Sequence, residues 1–78
     1  MKYFITGATG FIGARLAEKL AEEGNEVRTL VRNKQKAFLL LDHENISWYY
    51  GTLDDHGVIK EAMTGVDGVF HMAAFAQP

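Results

Sequence analysis

Short runs of consecutive apolar residues alternate along the chain with longer stretches whose apolar positions recur every three or four residues. The first pattern predicts strands buried on both faces, and the second predicts amphipathic helices. Lys2–Thr6 carries Tyr3, Phe4 and Ile5 in succession and reads as the first strand. A glycine-rich turn over 7–10 follows at once, and a helix is expected over 11–23. There Ile12, Leu16 and Leu20 recur at every fourth position, with Ala17 and Ala21 beside them as an apolar face. Arg15, Glu18, Lys19, Glu22 and Glu23 form the polar face. Gly24 stops the helix, because glycine tolerates the left-handed conformation just past a helix end.

The alternation continues. Glu26–Val31 reads as the second strand, and Asn33 as the N-cap of a helix over 34–43. Ile46–Tyr50, with Trp48, reads as the third strand. Asp54 or Asp55 is expected to cap a third helix that runs through Val58, Ile59, Ala62 and Met63 and ends at Gly65. A fourth strand over 66–72 is expected to continue into Ala73, Ala74 and Phe75. Strands alternating with helices predict a βαβαβαβ order, which is an α/β fold with a parallel sheet.

Composition narrows the function classes. The chain has 78 residues, no Cys, one Pro and a net charge of −2 from 8 basic and 10 acidic residues. A domain of this size buries only about 60% of its unfolded surface, so its core is marginal. The lack of cysteine excludes a disulfide framework and thiolate metal sites, and fits a reducing compartment; a cytoplasmic protein is expected. His43, His56 and His71 make no ligand-spaced pair, so no metal is expected. The mixed charge lacks the basic face that nucleic acid requires, so no nucleic-acid partner is expected. No apolar run is longer than that of 37–41, far too short to span a membrane, and no membrane partner is expected.

The most informative segment is Thr6-Gly7-Ala8-Thr9-Gly10-Phe11-Ile12-Gly13, placed where a strand hands over to a helix. Gly7 allows a sharp turn out of the strand. Gly10 has no side chain to keep a pyrophosphate from the backbone, and Gly13 allows close approach of helix and sheet. Free N–H groups and the positive dipole end at a helix start favour an anion, with the Phe11 and Ile12 amides as donors. A tight turn without a ligand would need glycine too. The strand before it and the amphipathic helix and strand after it meet the context that a dinucleotide-binding turn requires.

The spacing T-G-x-x-G-x-x-G resembles the extended branch of the short-chain dehydrogenase/reductase superfamily, of the NAD-dependent epimerase/dehydratase type. Two further segments carry the resemblance. In that family the turn after the third strand often reads G-D-L-x-D and its Asp and Leu contact adenine; here it is Gly51-Thr52-Leu53-Asp54-Asp55, with Thr52 in place of the Asp. The family's fourth strand often ends in H-x-A-A beneath the adenosine ribose, and His71-Met72-Ala73-Ala74 matches. The resemblance covers the chain from Met1 to Ala74 but only the first quarter or so of a family member. It implies a Rossmann-type sheet in strand order 3-2-1-4. It also implies cofactor contacts from Gly7, Ala8, Thr9, Gly10, Phe11, Ile12, Gly13, Thr52, Leu53, Met72, Ala73 and Ala74.

The choice of nicotinamide cofactor is made at the C-terminal end of the second strand, about 20 residues beyond the turn. An acid there bonds the ribose 2′-OH of NAD, and a base accommodates the 2′-phosphate of NADP. Arg32 occupies that place, with Lys34 and Lys36 nearby, whereas Glu26 lies at the wrong end of the strand. NADP is therefore expected over NAD, since guanidinium–phosphate pairing is bidentate and strong.

Other candidates have plainer explanations. Asp54 and Asp55 are adjacent and do not converge on one substrate atom, so they read as helix-capping groups. His71 reads as a strand-end residue whose ring packs or bonds locally, and His43 and His56 as exposed helix ends. Trp48, Tyr49 and Tyr50 read as core and edge packing, and Met63 and Met72 as filler. The family's catalytic Y-x-x-x-K pair is absent, because Tyr3, Tyr49 and Tyr50 are followed four residues on by Gly7, Leu53 and Asp54. No catalytic residue carries over. In the order 3-2-1-4 the first two helices cover one face and the third only part of the other. The chain is thus expected to be the N-terminal part of a longer Rossmann domain that self-associates through its open face or edge. Two other readings stand beside the enzyme. One is a non-catalytic dinucleotide sensor of the NmrA-like kind, which resembles this chain at the glycine turn. The other is a self-associating remnant without activity.

Overall fold

A computed structural model describes residues 1–8 and 11–72. Seven elements follow one another as β1 (Lys2–Thr6), α1 (Phe11–Glu22), β2 (Glu26–Val31), α2 (Lys34–Leu40), β3 (Ile46–Tyr50), α3 (His56–Met63) and β4 (Gly68–His71). The strands form one parallel sheet in the order β3-β2-β1-β4. Register pairs Thr6 with both Leu30 and His71, and Leu30 with Tyr49, so all four strands end along one edge.

Alternation along each strand builds two cores. Ile5, Val27, Val31 and Ile46 face α1 and α2, where Ala14, Ala17, Ala21, Ala37 and Leu41 complete a buried cluster. Phe4 and Leu30 face α3 and meet Ala62, with Tyr49, Val58, Ile59 and Val66 packed around them. Beyond the coverage of α3, Val69 of β4 is 46% exposed.

The α1 stripe departs from the expected one. Ile12 is 58% exposed, while the buried positions are Ala14, Ala17 and Ala21. Leu16 and Leu20 pack only at the margin of the cluster. Small side chains let the helix axis lie close to the sheet, and the larger ones are left to flank the contact. α1 ends one residue earlier than expected, at Glu22. The Gly24 N–H donates to Ala21 O and the Asn25 N–H to Leu20 O, both at 3.1 Å, around Gly24 at φ +91°. This is a Schellman closure.

Asn33 caps α2 as expected, its Oδ1 accepting from the Lys36 N–H at 3.1 Å. The helix ends at Leu40 rather than at 43. The Leu41 carbonyl accepts from the Trp48 indole N–H at 3.0 Å and from the His43 N–H at 3.1 Å. His43 is therefore not an exposed helix end. It is a half-buried loop residue whose Nδ1 accepts from the Asn45 N–H at 3.0 Å. β4 is shorter than the expected 66–72, because Asp67 turns into β1: Lys2 N–H donates to its Oδ2 at 2.8 Å, and its own N–H donates to Lys2 O at 2.6 Å. The expected continuation through Ala73, Ala74 and Phe75 lies outside the described residues.

Candidate functional site

The C-terminal ends of parallel strands are where open α/β sheets place their ligands, at the point where strand order reverses. Here that point lies between β1 and β4, which flank the first chain reversal. β1 leaves the sheet through Gly7 at φ +74°, a left-handed conformation that side chains strain. A Cβ on Gly13 would lie 2.3 Å from the Gly7 carbonyl oxygen and 3.0 Å from Ala8 Cα. The glycine thus lets α1 sit directly against the backbone of the turn, a closer neighbour than the sheet itself. Ala8 is fully buried in the core. Thr9 and Gly10 lie outside the described residues. α1 begins at Phe11 and has no acidic residue in its first turn, so no side-chain charge offsets its positive end. Ile12 offers its backbone there, since its side chain points to solvent.

The other predicted residues lie along the same edge. Arg32 follows β2, is exposed, and makes no hydrogen bond or ion pair among the described residues. Glu26, at the opposite end of β2, pairs with Arg28 at 2.9 Å. The Gly51 N–H donates to Val31 O at 3.0 Å and brings the loop after β3 beside the end of β2. Thr52 and Leu53 are exposed on that loop. The Met72 N–H donates to Thr6 O at 2.9 Å, which extends the β1–β4 ladder to the edge. Ala73 and Ala74 lie outside the described residues. The structure therefore brings Gly7, the start of α1, Arg32, Thr52, Leu53 and Met72 to one edge.

Asp55 does not cap α3 through its side chain, contrary to expectation. Its Oδ2 accepts from the Thr52 N–H at 2.8 Å, and Thr52 Oγ1 accepts from the Asp54 N–H at 3.3 Å. This is a capping-box exchange closed over a single turn, for which T-x-x-D in Thr52-Leu53-Asp54-Asp55 was the available signal. Thr52 keeps its hydroxyl proton to donate. A second feature absent from the sequence reading joins Thr6 Oγ1 to His71 Nδ1 by a hydrogen bond. Among the described residues no group of three or more His, Cys, Asp or Glu is placed to hold a metal, and no helix is long and apolar enough to cross a membrane. A groove of about 630 Å³ runs along the outer face of α1, lined by Ile12, Arg15, Leu16, Glu18, Lys19 and Glu22. It includes none of the strand-end residues.

The strand order and the glycine turn at the β1–α1 junction define a Rossmann-type α/β domain of the short-chain dehydrogenase/reductase class. Residues 2–78 match the NmrA-like family, and the chain belongs to it. It is 41% identical over 76 residues to a dihydroflavonol 4-reductase of Arabidopsis thaliana, covering 88% of this chain and 20% of that protein. It is 35% identical to a UDP-glucose 4-epimerase of Streptomyces lividans, covering 97% of this chain and 24% of that one. The crystal structure of the Bordetella bronchiseptica enzyme WbmH in complex with NAD+ superposes with a TM-score of 0.78 at 32% identity, covering 92% of this chain and 25% of that one. The chain thus spans about a quarter or less of the relatives it matches.

Proposed function

We propose that residues 1–78 are the N-terminal part of a nicotinamide-dinucleotide-binding Rossmann domain and that they hold the adenosine and pyrophosphate half of the cofactor. The observation that carries this reading is the Gly7–Gly13 contact, where α1 is pressed onto the turn so closely that a Cβ has no room. The residues fit the ligand. The backbone at Gly7, Ala8, Thr9, Gly10, Phe11, Ile12 and Gly13 would face the pyrophosphate, while Thr52 and Leu53 would flank adenine. Met72, Ala73 and Ala74 would pass beneath the ribose. When bound, the cofactor supplies hydride transfer. The chain's own residues bind and orient it, and we assign none of them a catalytic role. The longer protein would carry out one reaction of this class, a reduction, an epimerisation or a dehydration, in the cytoplasm.

Arg32 favours NADP over NAD, because an unengaged guanidinium at the end of β2 meets a 2′-phosphate as a charge-assisted pair. Parallel titration with NADPH and NADH tests this. NADPH should bind more tightly, and Arg32→Ala should weaken NADPH about tenfold, at the low end of a charged hydrogen bond at an exposed site, while leaving NADH unchanged. Equal or tighter binding of NADH overturns the preference. A second reading, a dinucleotide sensor without catalysis, is favoured by the NmrA-like match. A Y-x-x-x-K pair in the remainder of the protein supports the enzyme, and its absence supports the sensor. The uncovered part of the β4 face and edge supports self-association of the chain.

A further inference from the structure

The start of the glycine turn is anchored from two sides. Thr6, the last residue of β1, is buried, and its partner across the parallel ladder is His71. The Thr6 hydroxyl and His71 Nδ1 share a hydrogen bond whose donor is set by the imidazole tautomer. The Thr6 carbonyl accepts from the Met72 N–H at 2.9 Å. On the other side, the Gly7 carbonyl is packed against Gly13 of α1. The turn therefore springs from a residue held by β4 and returns to a helix held by the turn.

We propose that His71 is a positioning residue for the phosphate-binding turn. By fixing the Thr6 side chain, it sets the direction in which the backbone leaves β1 at Gly7. This rests on the dinucleotide reading above. The placement argues for a role beyond holding the sheet together. Main-chain bonds already run the length of the β1–β4 ladder, and the Lys2–Asp67 pair secures its far end. At the end from which the turn departs, a bond between two side chains is added. Threonine suits the task, because its branched Cβ restricts χ1 and holds the hydroxyl in one direction.

Adenosine and ADP separate positioning from general stability, since only ADP carries the pyrophosphate. Affinities for both, with Tm, would be measured for the parent chain, Thr6→Val, Thr6→Ser, His71→Phe and the Thr6→Val/His71→Phe double variant. Thr6→Val and His71→Phe should each weaken ADP by about three- to tenfold, the range for one hydrogen bond, with adenosine affinity unchanged. The double variant should lose no more than either single one, as residues acting through one bond do, and Thr6→Ser should bind ADP like the parent. Parent-like ADP binding by the single variants overturns the proposal. So do additive losses, or losses of ADP and adenosine affinity together with a fall in Tm. If the parent chain binds neither ADP nor NADPH, the dinucleotide reading fails and the proposal falls with it.

Discussion

A methyl group on Gly13 would sit 2.3 Å from a carbonyl oxygen of the turn, so alanine there must push α1 away from β1. Overpacking of this kind costs about 1–3 kcal/mol. Gly13→Ala should lower the urea midpoint accordingly and weaken ADP binding as well. Gly24 makes the contrast: its φ is +91° but a Cβ there meets nothing within 4 Å. Gly24→Ala should cost about 1–2 kcal/mol of left-handed strain and leave ADP affinity untouched. A Gly13→Ala chain as stable as the parent would show that the turn and helix are not packed as described. The roles of Gly7, Gly13 and Gly24 were legible in the sequence, because a glycine's freedom acts on its immediate neighbours. The bond between Thr6 and His71 was not, because the two residues are 65 apart and only the strand register joins them.

Strands were easier to read than helix ends. β1, β2 and β3 match their expected bounds, since each is a run of apolar or β-branched residues closed by a turn signal. α2 stops at Leu40, short of its expected length, and just beyond it the Trp48 indole, on another element, donates to the Leu41 carbonyl. A side chain arriving from outside is invisible to periodicity. Arg28 is a second case, a half-buried charged residue within β2 to which the sequence reading gave no role. Its Nη1 donates to the Ala62 and Thr64 carbonyls at 3.2 and 2.6 Å, and so holds the C-terminal end of α3 to β2. Its side chain is 16% exposed, and its ion-pair partner Glu26 is 43% exposed. Arg28→Met keeps much of the stem but leaves two helix-end carbonyls without this donor. It should destabilise the chain by about 1–3 kcal/mol in urea unfolding and speed hydrogen exchange in α3 more than in α1. Uniform exchange across both helices would assign Arg28 to the general core.

Among the described residues, the molecule is a sheet with one face well covered and the other partly bare. Among those residues, the first face carries ten buried residues from three strands, α1, α2 and their flanks, whereas the second carries Phe4, Leu30 and Ala62. β4 is the terminal strand of the described sheet on that side. Unpaired edges and exposed apolar faces promote association. Sedimentation of the 78-residue chain should show mass rising with concentration, and a stable monomer at every concentration would count against this. The asymmetry followed from the helix count, readable from the alternation of elements, and from the strand order, which the family resemblance implied. The path of the chain at Thr9, Gly10, Ala73 and Ala74, four of the predicted contacts, lies outside the described residues.

The pairing of β1 with β4 also closes the longest loop in the sheet. β1 meets β2 across a single helix, but it meets β4 only after the chain has passed through all three helices and two other strands. Closing a longer loop costs more chain entropy, and the β1–β4 contacts are the most distant in sequence that the sheet makes. The strand that completes the proposed binding edge is therefore the one whose docking pays the largest closure entropy. A ligand held there would stabilise the strand whose pairing closes the longest loop in the sheet.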